Sequence, residues 1–136
     1  MLIDSNILIY SLNQASPKSV DSQKFLQSQT HIVFAQQNIF ETLRILTHTK
    51  FPNPFSVKEA TEAVRALTDQ ATVIFPTLET YDLALELIRK YQITGTEIFD
   101  AYLVATALSN GIEKIASDNT KHLQKYNEIK VVNPFN

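Results

Sequence analysis

The chain has 136 residues, 44% of them hydrophobic, with two glycines, no cysteine, and 12 basic against 14 acidic side chains for a net charge of −2. Residues 1–136 are therefore expected to form one domain with a single core, and disulfides, thiol nucleophiles and cysteine-bound zinc are excluded. The slight negative charge gives no global attraction for nucleic acid, so any such contact must be local. No apolar run approaches the roughly twenty residues that span a bilayer, and the N-terminus lacks the basic start and long apolar stretch of a signal peptide. A cytoplasmic protein without membrane contact is expected.

Met1-Leu2-Ile3 reads as a buried strand, continuous rather than alternating in its apolar residues. It stops at Asp4, and Ser5 and Asn6 turn the chain into a helix through Ile7-Leu8-Ile9-Tyr10. Pro17 to Gln29 reads as a second helix with Pro17 in its first turn. Ile32–Ala35 is a second strand. Gln36 to Thr49 carries Ile39, Phe40, Leu43 and Leu46 at helical spacing, with Gln37, Glu41, Arg44 and His48 on the opposite stripe. The prolines of 51–55 make a loop.

Ser56 and Glu59 have the spacing of a capping box, opening a helix with Val57, Ala60, Val64 and Leu67 inward. Thr72–Phe75 is a third strand. Leu78 to Tyr91 is an amphipathic helix with Tyr81, Leu85 and Ile88 on one stripe. After Thr94-Gly95-Thr96, the helix Phe99–Leu108 is apolar almost all round and should be packed on several sides. Asn110-Gly111 ends it. Ile112–Ala116 is a fourth strand, stopped at Ser117-Asp118-Asn119, before a short helix near Thr120–Tyr126 and a last strand Ile129–Val132. Alternating strands and helices predict an α/β fold, three layers α/β/α about a five-stranded, mainly parallel sheet.

Four acids occupy positions that such a sheet brings to one edge. Asp4 and Asp118 end strands, Asp100 opens the most apolar helix, and Glu41 lies one turn into the helix after strand two. Clustered carboxylates suit a hard cation, since Mg²⁺ and Mn²⁺ take oxygen ligands. Each acid also has an ordinary explanation. Asp4 serves equally as an N-cap, Asp100 as a first-turn acid favoured by the helix dipole, Glu41 as a partner of Arg44, and Asp118 as a turn residue.

Taken together, Leu2-Ile3-Asp4-Ser5-Asn6, the Glu41 helix, Gly95 with Phe99-Asp100-Ala101 and Ala105-Thr106-Ala107, and Ile115-Ala116-Ser117-Asp118 resemble the ordered motifs of the PIN domain, closest to VapC-type toxins. The resemblance spans essentially the whole chain. It implies a PIN-like domain with the first strand central and a metal-dependent endoribonuclease, a hydrolase of RNA phosphodiester bonds acting as the toxin of a toxin–antitoxin pair. It further implies Mg²⁺ (or Mn²⁺) as cofactor, a cognate antitoxin and a homodimer. Carried over by position, Asp4, Glu41, Asp100 and Asp118 form the acidic quartet. Asp4 and Asp100 are then direct metal ligands, and Glu41 and Asp118 hold metal-bound water or a second ion. Ser5 and Asn6 match the small polar positions after the first acid. One departure is Ala116, where the family often has threonine, and either Asp118 or Asn119 completes the set.

Lys121 and Lys125, with Lys114, flank Asp118 and are candidate contacts for the RNA backbone, or a solvated charged face. His31, His48 and His122 read as surface residues. A dehalogenase-like phosphatase would need a second aspartate where the chain has Asn6, and a response-regulator receiver an acid where it has Phe75-Pro76. The alternative is a catalytically inactive PIN-like module that holds RNA or a scaffold partner.

Overall fold

The structure, a computed structural model, describes residues 1–135. In chain order the elements are β1 (Leu2–Ile3), α1 (Ser5–Leu12), α2 (Ser19–Ser28), β2 (Val33–Ala35), α3 (Gln36–Leu46), α4 (Val57–Thr68), β3 (Thr72–Ile74), α5 (Thr80–Tyr91), α6 (Ile98–Ser109), β4 (Lys114–Ala116), α7 (Thr120–Leu123) and β5 (Lys130–Val132). The strands form one five-stranded sheet in the order β3-β2-β1-β4-β5. Every pairing is parallel. The first strand is central, as the family resemblance implies.

The short strands explain the layering. Leu2, Val33, Ala35, Ile74 and Ile115 share one core cluster with α5 and α6 residues such as Leu87, Leu103 and Val104. Ile3, Phe34 and Ala116 belong to a second cluster with Ile7 and Leu8 of α1 and Leu26 of α2. Neighbouring residues along a strand point to opposite faces, so each face buries its own half of the apolar run. That is why the strands read as continuous. Three layers follow.

The predicted inward face of α4 forms at Ala60, Val64 and Leu67 but not at Val57, and the face of α5 differs from the one predicted. In α4 the buried residues are Ala60 and Val64, whereas Val57 is 74% exposed. Val57 follows the Ser56 cap directly, at the very start of the helix, and α4 packs on α3. In α5 the buried stripe is Thr80, Ala84 and Leu87, and Tyr81 and Leu85 face outward. Phe40 of α3 and Phe99 of α6 are also outside the core, each 62% exposed. Pro17 precedes α2 in a turn built on Asn13 and Ser16 rather than lying in its first turn. The capping box at Ser56 forms as expected, with Glu59 N–H donating to Ser56 Oγ and Ser56 N–H to Glu59 Oε1. No helix among the described residues is long and apolar enough to cross a membrane.

All five carboxyl ends lie on one edge of the sheet. The chain runs from β1 outward through β2 to β3 and then crosses back to β4 on the other side of β1, so β1 is flanked by β2 and β4. This is the switch point of an open parallel sheet, where crevices form.

Candidate active site

Asp4 stands at the switch point. Its N–H donates to Ala116 O (2.9 Å), continuing the β1–β4 pairing by one residue. Its side chain caps α1: Oδ1 accepts the Ser5 N–H at 2.8 Å. The N-cap role and the site role therefore coincide. Oδ1 also accepts from Asn38 Nδ2 (3.3 Å), and Oδ2 from Ser117 Oγ (2.7 Å) and Asn6 Nδ2 (3.3 Å). The residue is only 7% exposed. Burial pushes its carboxyl up to about 6, against the hydrogen bonds from Ser117 and Ser5, and the charges of Glu41 and Asp100 add to the rise.

Glu41 reaches the same place from α3. Its Oε2 accepts from Ser5 Oγ (2.9 Å) and its Oε1 from Gln37 Nε2 (2.7 Å). It makes no ion pair with Arg44. Asp100, in the first turn of α6, has its carboxyl raised mainly by burial and further by Glu41 and Glu97, against the pull of His122. Glu41, Asp100, Asn119, His122, Arg44 and Glu97 line one open cavity of about 760 Å³, with Phe40 and Phe99 on its rim. Asp4 is not on this wall; Ser5 links it to Glu41.

Three of the four predicted acids thus gather at one place, Glu41 and Asp100 on the cavity and Asp4 behind Ser5. Asp118 does not join them. Its carboxylate pairs with Lys18 and accepts from Tyr10 Oη at 3.0 Å, and the Lys18 hydrogen bond holds it below its usual value. Asn119, one residue on, lines the cavity instead. The missing hydroxyl at Ala116 is likewise supplied one residue later, by Ser117.

His122 is not an ordinary surface residue. Its Nδ1 lies 3.8 Å from Asp100 Oδ2 and its Nε2 3.6 Å from Glu97 Oε1. The signal was available, because a residue three after Asn119 on a short helix returns toward the strand edge. Lys125 pairs with Glu97 at 3.3 Å, and the exposed Arg44 is the cavity's own guanidinium. Asn38 was also missed. Its Oδ1 accepts the Ala35 N–H while its amide supports Asp4, from the third position of α3.

These features define a PIN domain: the family model for the PIN domain matches residues 1–128, and the chain belongs to that family. No curated protein matches the sequence. Among solved structures the chain is similar to VapC20 of Mycobacterium tuberculosis, described as a toxin that cleaves the sarcin–ricin loop. That match has TM-score 0.72 and 13% identity, covering 91% of this chain and 93% of that one. It is similar too to a toxin–antitoxin complex from Klebsiella pneumoniae (TM-score 0.71, 19% identity, 98% and 96% covered). A third is VapBC2 of Rickettsia felis bound to a fragment of its promoter DNA (TM-score 0.71, 12% identity, 96% of each chain).

Proposed function

We propose that the chain is an endoribonuclease toxin that hydrolyses RNA phosphodiester bonds with the help of a divalent cation. The observation that carries this reading is the gathering of Asp4, Glu41 and Asp100 at the switch point of the sheet, with Ser5 joining Asp4 to Glu41 and Glu41 and Asp100 lining one cavity. Among the described residues no three acid or histidine side chains stand close enough together to cage a metal. The donor chemistry still fits Mg²⁺ or Mn²⁺, which often take one or two carboxylates and complete their shell with water and substrate phosphate oxygens. Asp4 and Asp100 would hold the ion. When bound it lowers the pKa of water and neutralises charge on the phosphoryl group.

The chain's own residues supply the rest. Ser5 and Gln37 each fill one lone pair on a different oxygen of Glu41. Each oxygen keeps further acceptor capacity, so Glu41 is placed to orient the attacking water and take its proton. Arg44 and His122 lie on the cavity wall as donors to phosphate, with Asn119 as the polar group closing the set and Asp118 as a more distant charge. Lys121 and Lys125 extend the basic border.

Resemblance to VapC-type proteins supports a cognate antitoxin, cytoplasmic action and a homodimer. The exposed Tyr81, Leu85, Ile98 and Phe99 give a second copy an apolar face. Cleavage of mixed-sequence RNA by the purified protein, in Mg²⁺, in Mn²⁺ and in chelator, tests the reading. Activity in chelator, or undiminished activity of Asp4→Asn and Asp100→Asn, rejects the cation site, whereas no cleavage under any of the three conditions favours the inactive scaffold.

A further inference from the structure

Asp118 has a partner set of its own. Lys18, in the turn before α2, pairs with Asp118 Oδ2, and its ammonium lies 5.2 Å from the ring centroid of Tyr10 and 5.1 Å from that of Phe135. Tyr10 donates its hydroxyl to the same carboxylate oxygen, and the Tyr10 and Phe135 rings meet edge to face at 5.6 Å. A cation held by a carboxylate and two aromatic faces is confined more tightly than an isolated surface ion pair. Three separated parts of the chain are gathered at one residue.

The turn anchored in this way is the one that serves Asp4. The Asp118 N–H donates to Asn6 Oδ1 at 3.1 Å. Ser117 Oγ accepts from Asn6 Nδ2 (3.0 Å) and from the Asn119 N–H (2.9 Å), and donates to Asp4 Oδ2 (2.7 Å). A hydroxyl has two acceptor lone pairs and one proton. Both lone pairs are occupied, so the proton is aimed at Asp4 only while the turn keeps its shape.

We propose that Lys18 is a positioning residue, which by clamping Asp118 fixes the turn that aims the Ser117 hydroxyl at Asp4 and sets Asn119 on the cavity wall. Asp118 is then an anchor rather than a ligand. The proposal rests on the nuclease reading above for its effect on rate, and on geometry alone for the clamp itself.

Two kinds of readout separate these layers. The first is amide hydrogen exchange at Asp118 and Asn119 in metal-free wild type, Lys18→Met and Lys18→Arg. The second is kcat and KM on mixed-sequence single-stranded RNA with Mn²⁺, together with Mn²⁺ affinity by calorimetry, for the same proteins, Asp118→Ala and the Lys18→Met/Asp118→Ala pair. Lys18 is 39% exposed, so its replacement leaves the core intact. Lys18→Met should lose about tenfold in protection at both amides and about tenfold in kcat with KM unchanged, the scale of a modest misplacement of a reacting group. Asp118→Ala should match it, the double variant should be no worse than either single one, and Lys18→Arg should restore both readouts. Mn²⁺ affinity should hold within about twofold throughout, since a clamp leaves the ligands in place.

Amide protection in Lys18→Met equal to wild type overturns the clamp whether or not the protein cleaves RNA. A large loss of Mn²⁺ affinity in Asp118→Ala with normal Lys18→Met overturns it also, and makes Asp118 a ligand. A wild type that neither cleaves RNA nor binds Mn²⁺ rejects the nuclease reading, while the exchange data still decide the clamp.

Discussion

Ser117 gives its hydroxyl proton to Asp4 across 2.7 Å and a sequence separation of 113 residues. Both residues are buried, and the bond opposes the rise that burial imposes on the Asp4 carboxyl. Ser117→Ala should therefore destabilise the fold by about 1.5–3 kcal/mol at pH 7, the range for a hydrogen bond to a charged group. The loss should shrink at pH 4, where Asp4 is mostly protonated. Urea unfolding at the two pH values checks this; an equal loss at both would mean the bond is made to the neutral acid.

The Asp4 carboxyl sets a pH dependence of its own. Its folded value is about 6 against an ordinary 3.8, with burial as the leading cause. The folded state then holds its proton more tightly than the unfolded chain. Its stabilising contribution is complete below 3.8 and is lost as pH rises through 6, about 3 kcal/mol by neutral pH. Asp118, held down by Lys18, acts in the opposite sense, but its window lies below 3.8. Between pH 4 and 7 in chelator, wild type should weaken steadily, and Asp4→Asn should show a flatter profile.

Asp100 gives a sharper comparison. Its carboxyl is raised by burial first and then by Glu41 and Glu97, despite His122. Asp100→Asn removes a costly charge at similar volume, so in chelator at pH 7 it should melt above wild type. Excess Mg²⁺ should raise the melting temperature of wild type by binding only the native state, and should leave the variant almost unmoved. A variant melting below wild type would instead assign Asp100 to the dipole of α6.

Arg44 lies on the cavity wall without an acidic partner among the described residues. Arg44→Ala should weaken RNA binding alike across sequences and reduce the slope of log affinity against log salt by about one. Lys58→Ala, on the exposed start of α4, is the control and should change neither. Filter binding at several salt concentrations reads both.

The element order was legible because each short strand is apolar throughout and each loop carries its own punctuation. The face of α4 was legible except at Val57, and that of α5 was not. Val57 and Tyr81 are apolar at helical spacing, yet spacing does not say which residues meet a neighbouring helix; in α5 the small Ala84 does, where α5 packs on α6. At the site, acids at strand ends were readable one by one. Whether a side chain at 118 or 119 turns toward the cavity depends on the shape of a three-residue turn, and Lys18, 100 residues away, bears on that shape. Local pattern carries no trace of such a distant partner.

The central place of β1 also has a consequence for synthesis. Leu2 and Ile3 pair with Ile115 and Ala116, so β1 must wait for a strand far later in the chain before it is enclosed on both sides. Contacts of such long range are slow to form. On the ribosome, Asp4 emerges long before Ser117 is there to orient it and with its neighbouring acids still to come. A nascent chain therefore carries the first acid of the site long before the site exists, and a chain broken off before residue 114 would never assemble it.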